Sequence, residues 1–500
     1  MYPEDSSVLV YCNTCWWSDK WDGTEYGRAY DPSKPFLEQL YELSRITPYM
    51  ALENLYTSLV DTEYTNYAAY QKNCYLTYYS DYANNVLYAM FIAHVNDSMD
   101  CYRIRDSELC YEATGCYKSS RVFFSEECTD SHDIWFSKNL IGCSNCVGCV
   151  NLRNKSYCIF NEKYSKEEYH RIIEEMDLHT QRGIDAVSKK AKEFWLTKPR
   201  RAYEGNSLNV NVTGDYVYES KNAHDCYMAT SVEDGKFVQF ISLPKVKDAY
   251  DYSGWGNNVE RIYECDIVGE GAYNVKFSSE CWPDARDVEY SMYANACTNC
   301  FGCVNLKKKS YCILNKQYSK EDYERLREEI IKNMNEKPYR DEKGRVYPYG
   351  EYFPLNFSLF AYNETMAYAY FEKDRDVIKK EGFQWREQEV STHTPTLKAD
   401  QLPLTISETP DTITREIVAC FSCARAYRII PQELSLLRHL NLPAPQRCPE
   451  CRHLRRFQST NPPRLYERNC AKCGIPIKTS YAPERPEIVY CEQCYNAEVA

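Results

Sequence analysis

Five hundred residues exceed what one hydrophobic core organises, so three or four domains are expected. Hydrophobic residues at 44 % exclude a disordered chain, the longest apolar run, "VLYAMFIAHV", is half of a membrane span, and "MYPEDSS" does not open a signal peptide. The net charge of −12 is split: residues 420–478 hold 11 Arg/Lys against 3 Glu, a local +8 that leaves −20 elsewhere, so a basic module is expected on an acidic body.

The 26 cysteines fall largely into Cys-x-x-Cys pairs, which in a long chain points to metal sites in a reducing, cytoplasmic setting rather than to disulfides. The 46 tyrosines, about three times ordinary usage, suit strand surfaces that are half buried and half wet.

In chain order, residues 1–30 contain "YPEDSSVLVYCNTCWW", which lines up with "YAPERPEIVYCEQCYN" from Tyr481. Cys12 and Cys15 therefore read as the second knuckle of a zinc ribbon whose first knuckle is absent. Either the chain begins late, or another segment supplies two ligands, or the site is lost. Residues 31–66 read as a helical lead-in.

Residues 67–200 read as a β-solenoid. Counting back from Cys158 in sixes gives Leu152, Cys146, Leu140, Ile134, Cys128, Val122, Cys116, Cys110, Ile104, Ser98, Ile92, Val86, Ser80, Cys74 and Ala68, all apolar or small. Neither a helix nor an isolated strand sustains period six, whereas short strands turning corners do. The expected coil is triangular, 18 residues long, with Cys74, Ile92, Cys110, Cys128 and Cys146 stacked on one inner edge.

Residues 201–340 repeat the pattern. Residues 143–176 and 297–330 align without a gap at 22 of 34 identical positions, an internal duplication. Upstream, Cys312, Leu306, Cys300, Ala294 and Val288 keep step. Cys281, Val275, Val268, Ile262, Gly256 and Tyr250 follow only with two one-residue insertions, expected as bulges at corners. Each repeat runs into a capping box, Ser165 with Glu168 and Ser319 with Asp322, and then a helix placed to cover the open solenoid end.

Cys143, Cys146 and Cys149, with Cys297, Cys300 and Cys303, resemble part of an iron–sulfur run. Cys146 and Cys158 nevertheless fall on the inward register, where a buried thiol acts as a small hydrophobe. Core lining is the favoured reading, with zinc or a cluster as alternatives. Cys143 and Cys149 fall midway along their sides, a position this reading does not explain.

Residues 341–414 read as an aromatic arm, "YPYGEYFPLNFSLFAYNET", followed by an exposed, extended connection. Residues 415–500 carry "CFSC" and "CPEC" (Cys420, Cys423, Cys448, Cys451), then "CAKC" and "CEQC" (Cys470, Cys473, Cys491, Cys494). Paired thiolates at this spacing point to two closed structural zinc sites of ribbon or treble-clef kind, two zinc ions per chain, pairing sequentially or cross-braced. Arg452, Arg455 and Arg456 share a face of a helix begun at Cys451, and Arg464 and Arg468 follow. With His453 and Tyr466 among them, they are expected to grip RNA or DNA phosphates, or the ribosome, and to stack on bases. Charge balance against the thiolates is the plainer account.

Four quoted strings, "WWSDKWD", "CFGCVNLKKKSYCILNKQYSKEDY", "NLPAPQRCPECRHLRR" and "SYAPERPEIVYCEQCY", make nearly the whole chain resemble an uncharacterised zinc-ribbon/β-solenoid family of Patescibacteria, the candidate phyla radiation. Similar sequences sometimes carry a CaiB/BaiF CoA-transferase label, although no glycine-rich CoA fold is visible. The resemblance implies kinship rather than mechanism, and implies a further ribbon segment at the start.

The expected fold is mainly β with capping helices: two tandem hexapeptide-type parallel β-solenoids and C-terminal four-cysteine modules. The expected protein is a non-enzymatic zinc binder whose basic module takes nucleic acid or ribosome, with no membrane partner. A protein–protein scaffold using the solenoid faces is the rival, and an iron–sulfur redox protein a further one. A hexapeptide acyltransferase would draw its base from His94, His132 or His224, but the chain has no Gly-x-Ser-x-Gly, P-loop or dinucleotide fingerprint.

Overall fold

A computed structural model describes residues 2, 6–205, 208–387 and 393–499. Residues 3–5 of the N-terminal match and the start of the connection at Ser391 lie outside them.

From Asp61 to Phe160 the backbone is left-handed at every third residue. Between these positions every third side chain from Cys74 to Cys149 is buried. Each triplet thus comprises a left-handed corner, an inward residue and an outward residue. Strand partners lie 12 residues apart, Cys146 beside Cys158, Ile134 beside Cys146 and Asn66 beside Tyr78. Four triplets therefore close one coil, and its cross-section is four-sided.

The 18-residue triangular coil is corrected on this point. Steps of six touch every second inward position of a period-three pattern. About half of the inward positions between them hold Thr77, Ser107, Ser119, Ser125, Ser131 and Ser137, which carry no apolar signal and interrupt the run of Ala83, Val95, Cys101 and Cys149.

A coil this narrow admits only small or slender side chains, and polar ones must satisfy themselves. Serine does so twice. Ser131 Oγ donates to the carbonyl of Thr129 at 2.8 Å and accepts the amide of Cys143 from the next coil at 3.1 Å. Ser137 does the same between Trp135 and Cys149.

A left-handed non-glycine residue costs about 1–2 kcal/mol, and here it recurs around each coil. The corner side chains offset this by stacking on their equivalents one coil away. Tyr67, Tyr79 and Phe91 stack at 4.6 and 4.7 Å, Tyr70, Tyr82 and His94 at 4.8 and 4.6 Å, and Asn139 donates to Asn151 at 2.9 Å. Tyr67, Tyr70, Tyr79 and Tyr82 serve this purpose.

The second solenoid starts with 11 to 12 residues per coil, widens to 13 and 14, and returns to 12 at Arg286–Thr298. The two expected corner insertions are present. One is at Glu270-Gly271, where two successive residues are left-handed, and the other lies between the left-handed Glu280 and Asp284. A further insertion at Asn257-Asn258 was not expected, and it takes Tyr250 out of the inward register, leaving it exposed.

Helices punctuate this frame. A one-turn helix α1 (Asn13–Trp16) and α2 (Phe36–Ile46) precede the first solenoid. Its coils begin before residue 67, since Asn54 already bridges Ala68. The helices α3 (Lys166–Met176) and α4 (Gln181–Leu196) follow the first solenoid, and α5 (Lys320–Glu336) follows the second. Ser165 and Glu168 form the full capping box, while Ser319 accepts the Asp322 amide. The last coil of each solenoid is closed by an asparagine side chain. Asn161 pairs with both backbone groups of Val150, and Asn315 with both of Val304.

The arm is packed rather than free. Tyr349 and Phe353 lie against Phe277 and Tyr290, and short helices α6 (Met366–Tyr370) and α7 (Arg375–Glu381) follow. Downstream, Ile406 and Ile413 are buried with Leu434 and Leu437, so the expected exposed connection is instead part of a core. The chain ends in α8 (Pro431–Leu440), α9 (Pro449–Ser459) and α10 (Glu492–Val499).

The two solenoids lie side by side in opposite senses. Tyr67 bonds to Glu280, Phe91 stacks on Phe240, and Arg103 sits 4.0 Å over Tyr216, so one ladder ascends as the other descends. Among the described residues no helix is long and apolar enough to cross a membrane.

Candidate metal centres and their docking on the solenoids

Each C-terminal four-cysteine group is assembled from a tight turn and a helix start. In the first, strand Val418–Ala419 runs into Cys420, the chain turns through left-handed Ala424, and strand Ala426–Tyr427 returns antiparallel. The amide of Ala424 donates to the Cys420 carbonyl at 2.9 Å and that of Cys420 to the Arg425 carbonyl at 2.9 Å. Cys448 then caps α9, so Cys451 falls in its first turn.

The second group repeats this design. Gly474 takes the left-handed position, its amide on the Cys470 carbonyl at 2.9 Å, between strands Tyr466–Asn469 and Pro476–Thr479. Cys491 precedes α10 and Cys494 lies inside it. In both groups all four sulfurs lie within 4.8 Å of one another. The amides of Cys448 and Cys491 donate to the sulfurs of Cys420 and Cys470, each at 3.3 Å.

Burial opposes ionisation of Cys420, yet the amides of Cys448, Cys423 and Ser422 hold its thiol down at about 6. Cys470 is likewise held at about 6, burial being outweighed by the amides of Cys473, Cys491 and Lys472. Burial meanwhile pushes Cys448 up to about 11. Four sulfurs this close all ionise only around a cation, and both groups can hold a metal ion. Four protein donors leave no open coordination position, so such a site fastens chain segments rather than activating water. The four-cysteine groups were legible from spacing alone, and sequential pairing is what the structure has.

What the sequence did not disclose is how these units dock. The residue after the second cysteine is fully buried in each: Arg452 after Cys451 and Tyr495 after Cys494, each 1 % exposed. Tyr495 reaches the last coils of the first solenoid, its hydroxyl bonding Asn139 and Asn151, while Arg201 covers its ring at 5.1 Å. Strand Val489–Tyr490 pairs in parallel with Arg200–Arg201, at the start of the second solenoid.

Arg452 enters the acidic corner ladder of the first solenoid. It lies 3.1 Å from Asp100 and 2.9 Å from Glu433, with its guanidinium 5.0 Å over Tyr88. Arg456, 4 % exposed, sits 2.9 Å from Asp100 and 3.5 Å from Glu112, and Arg455 is 2.5 Å from Glu112.

The expectation of one phosphate-gripping surface is corrected here: Arg452 and Arg456 are inside, neutralised by the acidic body. His453, expected to stack on bases, packs against Phe457 at 4.6 Å. Arg468 donates to the carbonyls of Ala482 and Glu487. Arg464 stays exposed, 5.2 Å over Tyr466. The basic module and acidic body were legible as charge, but the sequence cannot say that the two charges meet each other.

Cys143, Cys146, Cys149, Cys297, Cys300 and Cys303 are all buried in the coil interiors. Each sulfur donates to the carbonyl two residues before it, for example Cys146 to Ser144 at 3.4 Å and Cys300 to Thr298 at 3.7 Å. Cys143 and Cys149 occupy inward positions as fully as Cys146. Among the described residues, only the two C-terminal groups bring three or more potential ligands together. Cys12 and Cys15 are exposed.

Of the three histidines, His94 and His132 line one open groove of the first solenoid with Asp106, Glu108, Lys118 and Asp130, while His224 belongs to the second solenoid.

No protein-family model matches the chain, and no curated protein does. Among solved structures, a putative acetyltransferase from Desulfovibrio desulfuricans G20 is 9 % identical over 58 % of this chain and 85 % of that one. Its TM-score of 0.11 carries no argument about fold or activity.

Proposed function

We propose that the protein is a non-enzymatic scaffold, stiffened by two structural zinc ions, that meets partner proteins through the outer faces of its solenoids. The observation that carries this reading is the burial of Arg452 and Arg456 against Asp100, Glu112 and Glu433. The strongest cationic feature of the sequence is consumed in holding the metal module to the body. A four-thiolate set with tetrahedral closure suits zinc above harder cations, and zinc there supplies shape alone.

The face left for a partner is the outer corner of the first solenoid. Tyr70 and Tyr82, 51 % and 50 % exposed, stack in line with His94 beside the polar groove. Tyrosine supplies large contact area at low entropic cost, as partner surfaces require.

Nucleic acid remains a second reading through exposed Arg464 and half-buried Tyr466 alone. One experiment separates the two. Intact wild-type protein and a Tyr70→Ser/Tyr82→Ser variant are used to enrich material from lysate, with and without nuclease. Polypeptides retained after nuclease and lost with the variant support the scaffold. Material lost on nuclease treatment, and held equally by the variant, overturns it.

A further inference from the structure

Protein interiors hold few voids larger than a water molecule, yet a cavity of about 160 Å³ persists where three elements meet. Ser188 and Trp195 of α4 form one wall, and Tyr111, Phe124 and Phe136 of the first solenoid form the second. Pro443, Pro445 and the arginines of α9 form the third. The helix α4 thus covers the coils here without sealing against them.

Two of the walls are aromatic. Phe124 and Phe136 stack at 4.8 Å, Tyr111 meets Phe124 edge-on at 5.2 Å, and Phe136 and Trp195 are buried. An engineered apolar cavity of about 150 Å³ takes up one benzene, so a single six-membered ring is what this space fits.

The polar groups of the lining are unbalanced in one direction. Trp195 Nε1, Arg452 Nη2 and Arg456 Nε are buried donors with no acceptor among the described residues. Buried donors are ordinarily satisfied. The carboxylates of the lining are already engaged, Glu112 by Arg455 and Arg456, Glu126 by Lys138, and Asp185 by Gln181.

Charge shows the same surplus. Asp100, Glu112, Glu126 and Glu433 are matched by Arg452, Arg455, Arg456 and Lys138. Of the charges that remain on the lining, Lys192 and Arg447 exceed Asp185 by one cation. Arg447 donates to the Ser422 hydroxyl rather than to a carboxylate, and Lys192 is exposed at the rim.

We propose that this cavity binds a single-ring aromatic carboxylate, its ring among Tyr111, Phe124, Phe136 and Trp195 and its carboxylate toward the arginine wall and Lys192. The unpaired donors call for an acceptor, the surplus cation for a monoanion, and the volume for one ring. A phosphate monoester, with close to two charges at neutral pH, matches the balance less well. The third wall belongs to the metal module, so the ligand fastens α4, the coils and that module to one another. No bond is made or broken, and the proposal does not rest on the scaffold reading.

The test is isothermal titration calorimetry of the intact full chain with benzoate, and with benzamide as its uncharged analogue. Wild type is expected to bind benzoate with a Kd of about 1 mM or below, and benzamide about tenfold more weakly. Ser188→Phe puts a ring into the cavity from α4 and should abolish benzoate binding. Lys192→Gln, at an exposed position, should weaken benzoate about threefold and leave benzamide unchanged. Circular dichroism reports whether each variant is folded, and Lys192→Gln decides the matter where Ser188→Phe is not. No binding of benzoate to wild type up to about 10 mM overturns the proposal. So does equal affinity for benzoate and benzamide, or wild-type affinity for benzoate in either folded variant.

Discussion

Arg452 shows how a charged residue can be structural. Its guanidinium is balanced by Asp100 and Glu433 and covered by Tyr88, and Arg456 shares Asp100 from the next helical turn. Removing one partner of a buried ion pair leaves the other charge uncompensated, at a cost of about 3–5 kcal/mol. Arg452→Gln is therefore expected to lower stability by that order in urea unfolding. Arg464→Gln, at an exposed site, should stay within about 0.5 kcal/mol. Equal effects from the two would contradict the buried clamp.

A second buried charge has the opposite character. Burial pushes Glu53 up to about 8, and it also pushes the neighbouring Glu280, which accepts from Tyr67, well above its usual range. One oxygen of each carboxyl has no partner. The folded state holds this proton more tightly than the unfolded chain. Its contribution is thus complete below about pH 4.5 and is lost as pH rises through about 8. Glu53→Gln should gain on wild type as pH rises from about 5.5 to 7.5, by up to about 1.4 kcal/mol per unit. Parallel stability profiles for the two proteins would refute this.

At the scale of the coil, the interior sets both what the sequence reveals and what it hides. Every inward side chain from Cys74 to Cys149 is buried, but cysteine, serine and alanine suit a bore this narrow as well as valine does. Serine or threonine at Thr77, Ser107, Ser119, Ser125, Ser131 and Ser137 interrupted the pattern at intervening inward positions, although Val95, Cys101, Cys143 and Cys149 continue it, and a period of three was legible as six. The corner residues gave no usable signal either, because tyrosine, leucine and arginine are not expected at left-handed positions such as Tyr82, Leu109 and Arg121. Stacking between coils selects them, and a non-local contact leaves no mark in a short window.

The repeated cysteines follow the same logic. Cys146→Ala removes a slender side chain and a weak donor and should cost about 1 kcal/mol, whereas Cys146→Leu overfills the bore and should cost about 1–3 kcal/mol. Neither should change the metal content found by mass spectrometry. A lost metal ion in either variant would return the six repeated cysteines to the metal sites.

Across the whole molecule, each cysteine-bearing unit bridges the two solenoids instead of extending from one. Trp16 rests on the end of the second solenoid while its strand joins the lead-in of the first, and Tyr495 makes the reciprocal arrangement. The first C-terminal group holds α9 against the corner ladder of the first solenoid. The coils themselves depend on none of this, because their amides bond from coil to coil, as Gly148 does to Trp135 at 2.9 Å. Metal extraction should therefore dissect the molecule. Residues 415–499 should lose hydrogen-exchange protection together, since neither turn nor helix start there is held without the ion. Amides around Tyr88, Asp100 and Glu112 should exchange faster as the arginines leave, while those of the inward positions from Val122 to Cys149 stay protected. Simultaneous opening of coils and modules would show that the metal sites hold up the solenoids, and that the body is not the rigid element from which a scaffold is made.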